Sequence, residues 1–188
     1  VAATRYLAVD EYRALPDPDL YYKGGGPELN TYDPAIETLD AKSKIDLANQ
    51  VLNEAYNKDE RIISVSSYYS DNLTSRVKVT SNGFRGDSKN SDVTLVAEVS
   101  VKSNTGRPSD YWYENALFIN KLNAKGIGEK ALERTLRKMD PKKIQSGQYT
   151  VIIENRVAGN IFSPVYQSLL GSSLYQKQSF LLDKINKP

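Results

Sequence analysis

Two of the side chains that most often perform catalysis are missing from this chain of 188 residues, which contains neither histidine nor cysteine. Their absence limits the chemistry that the chain can perform. Imidazole is a leading transition-metal ligand and the usual general base, and a thiolate is both a metal ligand and a nucleophile. An ordinary zinc site, a Cys/His dyad and a Ser/His/Asp triad are therefore excluded within this sequence. Serine-rich stretches such as "SSYYS" and "SLLGSS" supply hydroxyls, but no spacing marks a Ser/Lys dyad.

Carboxylates are the remaining acid–base groups. A glycosidase needs two of them across a cleft, which spacing alone does not reveal, and pairs arise by chance among 23 acidic residues. "DSKNSD" at 87–92 lacks the glycine and distal glutamate of a calcium loop, so we predict a polar hairpin loop there. The glycine triplet 24–26 lacks the Gly-Lys-Ser/Thr of a phosphate loop and is interpreted as a surface loop. The local acidic pairs are Asp17/Asp19, Asp59/Glu60 and Asp110/Glu114.

The aromatic run Tyr111-Trp112-Tyr113 is the candidate contact surface, and it contains the one tryptophan of a chain with 13 tyrosines. Tyr and Trp combine a large apolar area with a polar tip, which suits clefts and interfaces. Two interpretations stay open. The rings either pack on a sheet or contact a partner or substrate directly.

Charge and hydropathy exclude several classes of protein. Net charge is +2, and 25 basic residues are scattered among 23 acidic ones, so neither nucleic-acid binding nor a membrane-surface patch is indicated. No stretch approaches the ~20 apolar residues of a membrane span, and the first residues lack a signal-peptide pattern. The chain opens without Met on an uncapped helical pattern and stops at "LLDKINKP", so we expect a fragment of a longer protein.

Hydrophobic periodicity predicts helices in the first third. One runs to about Leu15, where two prolines end it, and another spans about residues 41–57 with Asp40 as its N-cap. The apolar face expected for the second helix consists of Ile45, Ala48, Leu52 and Ala55.

Residues 61–104 predict an antiparallel meander. "RIISVSSYYS" and "LTSRVKVTS" are interpreted as separate strands, and Asn82-Gly83 as a tight turn. Strict alternation over residues 93–102 predicts a half-buried strand, and the aromatic stretch after it a further strand or strand edge. The predicted buried side of that strand consists of Val93, Leu95, Ala97, Val99 and Val101.

The last third predicts a helix from about Ile127, the buried strand "YTVIIE", and two helical pieces broken near Gly171. Pro164 marks a first turn or a kink in the first piece. Segregated strands and helices favour an α+β class, in which an antiparallel β meander packed with helices is followed by helix-strand-helix. The apolar face of the Ile127 helix comprises Ala131, Leu132, Leu136 and Met139.

The sequence resembles the TldD/PmbA family, whose members are known as modulators of DNA gyrase. The resemblance rests on "DYWYENA", on "IGEKALERTLRKMDPKKIQSGQYTVIIENRVAGNIF" and on "SSLYQKQSFLLDKI", in that order. Upstream, "YDPAIETLDAKSKIDLANQVLNEAYNKDERI" and "VTSNGFRG" also match, so the similarity begins at about Tyr32. It implies three segments. Residues 1–31 are the end of an N-terminal helix and a Gly/Pro-rich loop, 32–123 the helix and meander of the N-terminal region, and 124–188 the central region, with the C-terminal domain absent.

The resemblance also implies a role. The catalytic TldD half carries a His-Glu-x-x-x-His zinc motif just before the "SFL"-like stretch, and this chain has Ser163, Pro164 and Ser168 at the motif positions. It therefore resembles the PmbA (TldE) half, a subunit with no metal of its own in a cytoplasmic heterodimeric protease that acts on extended peptides. The expected partners are a TldD-like paralogue, or a second copy in a homodimer, and an extended peptide substrate. Two alternatives stay open: a self-sufficient metallopeptidase with its metal site outside this fragment, and a structural or self-associating module.

Overall fold

The structure, a computed structural model, describes residues 14–23 and 26–184. The chain divides into two compact units, residues 1–142 and 143–188. The helix expected to end near Leu15 lies outside the described residues except at its end, where residues 14 and 15 are not helical. Short 3-10 turns occur at Pro18–Leu20 and Ile119–Lys121.

The first unit is built on a three-stranded antiparallel sheet with strand order β1-β2-β3. Its strands are β1 (Ile62–Val79), β2 (Arg85–Val101) and β3 (Ser109–Ala116), so the predicted meander is confirmed. The prediction of two strands within residues 61–81 is wrong. Asp71 and Asn72 pair with Val93 and Asp92 in unbroken register, and β1 continues through them.

The β1–β2 turn lies where Asn82-Gly83 predicts it. Gly83 has a φ of +95°, which a side chain would disfavour, and the amide of Thr80 donates to the carbonyl of Phe84 at 3.0 Å. The prediction of a polar loop at 87–92 is wrong, because these residues belong to β2 and pair with β1. Long polar strands of this kind occur where a hairpin extends beyond the core and both of its faces meet solvent.

The hydrophobic core lies between one face of the sheet and two helices. The alternating residues of β2 are fully buried, as predicted, and α2 (Ala41–Ala55) and α3 (Ile127–Arg137) pack against them. A short helix, α1 (Pro34–Thr38), precedes α2. The core cluster consists of Val51, Ala55, Leu95, Ala97, Val99, Val101, Ile127, Ala131 and Leu132.

The buried stripe of α2 is rotated relative to the prediction. Asp40 caps the helix as expected, since its carboxylate accepts a bond from the amide of Ser43 at 2.8 Å. Ala55 is fully buried as predicted, but Ile45 is 58% exposed, and Val51, which was not predicted, is fully buried. The predicted apolar face of α3 is confirmed at Ala131 and Leu132, which are buried.

The second unit is described from residue 143 to residue 184. It contains α4 (Asn155–Leu169) and α5 (Gly171–Tyr175), so the predicted pair of helices broken near Gly171 is confirmed. The strand predicted for "YTVIIE" is wrong: residues 149–154 have no regular structure, and Ile152 is 93% exposed. A buried strand requires partner strands on its edges, and none pairs with this segment within the described residues.

Candidate functional site

The three positions that match the family's metal motif all lie on α4. Ser163, Pro164 and Ser168 fall in its second half, and Pro164 is inside the helix rather than in its first turn. At about 100° of rotation per residue, the two serines lie about 140° apart around the axis. A regular helix therefore presents them on different sides, and the structure does not bring them together.

The hydroxyl of Ser168 is already engaged within its own helix. It donates to the carbonyl oxygen of Pro164 at 2.8 Å, a local bond of the kind that serines form inside helices. The carbonyl of Ser168 accepts a second bond, from the buried hydroxyl of Ser179 at 2.7 Å. Ser179 thus provides a partner for a carbonyl near the helix end. Sequence reasoning did not find this residue, because hydroxyls that bond main-chain carbonyls leave no periodic signal.

These residues do not fit zinc. The metal prefers imidazole, thiolate and carboxylate ligands, and this stretch of α4 offers two neutral hydroxyls and a proline side chain with no donor atom. Elsewhere in the described part of the chain, no group of three or more histidine, cysteine, aspartate or glutamate residues could hold a metal ion.

The aromatic run on β3 is divided between the two faces of the sheet. Trp112 pairs with Ala97 and packs against the core, beneath α3. Tyr111 and Tyr113 point to the other face, where they are 49% and 39% exposed and stack with ring centroids 6.3 Å apart. Alternation along a strand requires this division. The two tyrosines are therefore exposed, and their role as a contact surface stays a prediction.

A charged cluster holds Trp112 in place. The guanidinium of Arg134 lies 5.3 Å from the centre of the indole ring, a cation–π distance, and its Nε is 3.2 Å from the carboxylate of the neighbouring Asp110. Lys138 also lies 3.2 Å from that carboxylate, whose other oxygen accepts the amide of Tyr111 at 2.8 Å. Burial alone would raise the pKa of Asp110, but these donors and cations outweigh it and lower that pKa. The buried carboxylate stays ionised and positions β3 against α3.

A second cluster beneath α2 was not found from the sequence. The ammonium of Lys44 lies 2.5 Å from the carboxylate of Asp71 and 5.7 Å from the ring centre of Tyr69. Burial and the nearby charge of Asp71 raise the pKa of Tyr69 to about 12. The phenol is therefore neutral at pH 7 and unsuited to act as a base. The signal that could have revealed the cluster was a lysine on the inward stripe of an amphipathic helix.

In the part of the chain that the structure describes, every helix is too short or too polar to span a bilayer.

Comparison with protein families gives two matches. Residues 34–139 match the PmbA/TldA metallopeptidase central domain, and residues 146–188 match the PmbA/TldA metallopeptidase C-terminal domain. The first match ends at residue 139 and the second begins at residue 146, so the boundary of the two compact units at residues 142/143 falls between the two matches. The resemblance, by contrast, placed its last boundary at 123/124 and residues 124–188 in the central region.

Individual relatives agree with these matches. The chain is 31% identical to a metalloprotease PmbA homolog of Haemophilus influenzae over 190 residues, covering 100% of this chain and 41% of the relative. A crystal structure from Bacteroides thetaiotaomicron, of a protein named as a modulator of DNA gyrase, has a TM-score of 0.93 and 48% identity, covering 99% of this chain and 43% of that one. A TldE crystal structure from Thermococcus kodakarensis has a TM-score of 0.67 and 16% identity, covering 96% and 40%, and shares the fold.

The chain thus spans about two fifths of the length of the curated relatives it matches, since it covers 41% and 40% of the first two. The central-domain match covers residues 34–139, more than half of the 188 residues. The chain belongs to the PmbA/TldD metallopeptidase family.

Proposed function

We propose that this chain is part of a PmbA/TldE-like subunit that has no catalytic site of its own and assembles with a histidine-bearing TldD-like paralogue in a peptide-processing complex. The observation that carries the proposal is the chemistry of α4. The positions that match the zinc motif are Ser163, Pro164 and Ser168, and the hydroxyl of Ser168 already donates to the carbonyl of Pro164. The cytoplasmic location implied by the resemblance belongs to the same proposal.

The sheet supports a role in holding a peptide. β1 and β3 are its two edges, because each pairs only with β2 within the described residues. An edge strand offers unpaired main-chain amides and carbonyls, to which an extended peptide adds by backbone hydrogen bonding. On β3 this edge lies beside the exposed rings of Tyr111 and Tyr113, which provide apolar area for alternate side chains of such a peptide.

The absence of a metal site is tested on the purified chain. We expect substoichiometric zinc by elemental analysis after dialysis against zinc, and no cleavage of casein with or without a chelator. A TldD-like paralogue that carries the His-Glu-x-x-x-His motif is the positive control in both assays. One equivalent of tightly held zinc, or chelator-sensitive cleavage by the chain alone, would overturn the proposal.

The partner is tested by affinity capture of the tagged chain from its source cell. Recovery of a histidine-bearing paralogue in equimolar amount supports assembly with a catalytic half. Recovery of the chain's own product alone, with a dimer mass by light scattering, would instead support the self-associating module.

A self-sufficient metallopeptidase is a second candidate function, favoured by one observation. The curated relatives named metalloproteases are more than twice as long as the stretch matched here, which covers 41% of the first. Metal ligands outside these residues would give the complete subunit activity by itself. Zinc content and casein cleavage measured on the full-length gene product, with no paralogue present, separate this candidate from the first.

A further inference from the structure

The distal end of the β1–β2 hairpin carries a groove lined by cations and aromatic rings. Its volume is about 390 Å³. Three of the residues that line it are basic and one is acidic, and within the described part of the chain no ion pair involves any of the three cations. Arg76 and Lys78 share one face of the hairpin, whereas the register places Arg85 and Asp87 on the other face. Its lining includes Tyr22, Arg76, Lys78, Phe84, Arg85 and Asp87.

The floor of the groove depends on a glycine. Gly86 is the register partner of Lys78, and a Cβ on this glycine would lie 2.9 Å from the ring of Phe84. The absence of a side chain therefore lets the ring fold down over β2. The rings of Tyr21 and Phe84 pack edge to face with their centroids 5.1 Å apart, and the ammonium of Lys78 lies 5.9 Å from the ring centre of Phe84. The aromatic floor is held on two sides before any ligand arrives.

The hairpin tip is also fixed at its turn. The hydroxyl of Thr80 accepts the amide of Phe84 at 3.2 Å and donates to the side-chain oxygen of Asn82 at 2.7 Å. The amide nitrogen of the Asn82 side chain donates to the carbonyl of Pro16 at 2.8 Å, which ties the tip to a segment distant in sequence. A groove held in this way loses little conformational entropy on binding.

The spacing of the cations matches an extended chain. Arg76 and Lys78 are alternate residues of β1, so both side chains leave the same face of the strand about 7 Å apart. Alternate side chains of an extended peptide repeat at the same distance. We propose that this groove binds an acidic segment of an extended peptide, with carboxylates at alternate positions paired to Arg76 and Lys78 and an apolar side chain on Phe84.

Charge favours a peptide over a nucleic acid. Nucleic-acid sites extend as a stripe of cations that follows many phosphates. Here only three basic residues line the groove, Asp87 is in the same lining, and the other basic residues are scattered through a chain whose net charge is only +2. This inference rests on the proposed function in one respect, that the ligand is a peptide. It adds that the peptide is acidic.

The test is fluorescence anisotropy of the chain with a labelled decapeptide that carries glutamate at alternate positions, beside the same peptide with glutamine. We expect binding of the glutamate peptide, loss of binding with the glutamine peptide, and about tenfold weaker binding by R76A/K78A, since each lost charge pair removes part of the attraction. The matched control K142A/K143A removes two exposed cations elsewhere and is expected to bind as the parent does. R76Q/K78Q, which keeps most of the side-chain bulk, replaces the alanine variant if circular dichroism shows that the latter is unfolded.

Three outcomes would overturn the proposed binding site. The two peptides could bind equally well, neither could bind measurably, or K142A/K143A could lose as much affinity for the glutamate peptide as R76A/K78A does. A single-stranded oligonucleotide that binds more tightly than the glutamate peptide, with the same loss in R76A/K78A, would assign the groove to nucleic acid instead. Zinc content and partner capture are unaffected by these results, so failure of this inference and failure of the proposed function are distinguishable.

Discussion

Gly128 lies so close to Val51 that a Cβ on the glycine would be 2.3 Å from the carbonyl oxygen of Val51. This contact sets the approach of α3 to α2. Glu54, one helical turn beyond Val51, completes the junction by accepting the amides of Gly126 and Gly128, both at 2.8 Å. The carboxylate thereby satisfies two donors at the N-terminus of α3, where a negative charge is also favoured by the helix dipole.

Replacement of Gly128 by alanine is therefore expected to destabilise the first unit. Because the clash is with main-chain atoms of α2, the helices must separate, and we expect a loss of at least about 2 kcal/mol in the free energy of unfolding. Urea denaturation followed by tryptophan fluorescence reports this unit, since Trp112 is the one tryptophan and packs against the core. The control is Gly159→Ala in α4, where nothing lies within 4 Å of an added Cβ, and helicity should hold or rise. An unchanged unfolding midpoint for G128A would contradict the packing described.

The buried carboxylate of Asp110 predicts a pH dependence of stability. Its folded-state pKa is lowered from the usual 3.8, so between about pH 5 and the folded pKa the unfolded state binds more protons than the folded state. The stability that Asp110 contributes is therefore fully present above about pH 5 and is lost as the pH falls through the folded pKa. D110N should cost about 2 kcal/mol at pH 7 and progressively less below pH 4, measured by urea unfolding at each pH.

Asp46→Asn is the control for the loss of a carboxylate. Asp46 is an exposed residue of α2 that pairs with Lys42 four residues earlier at 2.6 Å, and surface pairs of this kind contribute little to stability. D46N should keep nearly the parent's free energy of unfolding at pH 7. If D110N lost stability in parallel with the parent on acidification, the carboxylate would not be the group responsible.

The sequence predicted those parts of the fold that local rules determine. Alternation fixed the buried face of β2, Asn82-Gly83 located the hairpin turn, and Asp40 located the start of α2. Each of these depends on residues close together in the chain. Turn chemistry, capping and side-chain alternation have the same geometry in almost any context.

The wrong predictions concern segments whose structure depends on contacts with residues distant in the sequence. "DSKNSD" has the composition of a loop, yet it is a strand because residues of β1 supply its hydrogen bonds. "YTVIIE" has the composition of a buried strand, yet no described strand pairs with it. The rotation that exposes Ile45 follows from where β1 and α3 contact α2, and no pattern within the helix indicates it. In the candidate site, the role of Ser179 likewise depends on a carbonyl 11 residues away.

Because Trp112 faces the core and Tyr111 and Tyr113 face the other side of the sheet, substitutions in this aromatic run should affect stability differently. Trp112 packs against the core under Arg134, so W112A should lower the free energy of unfolding by about 2–3 kcal/mol, less than a fully buried tryptophan would cost. Y111A removes a half-exposed ring that stacks on Tyr113 and should cost about 1 kcal/mol or less. Thermal unfolding by circular dichroism measures both, because W112A removes the fluorescent probe.

The affinity of the folded protein for its partner or peptide then distinguishes residues that pack the core from residues that contact the ligand. If Tyr111 and Tyr113 form a surface for a partner or peptide, Y111A/Y113A should weaken the binding of that ligand several-fold with little loss of stability. W112A, measured well below its melting temperature, should bind as the parent does, since its indole faces the core rather than the open side of the sheet. Weaker binding by folded W112A with unchanged binding by the tyrosine variant would reverse the assignment and place the contact surface on the α3 side of β3.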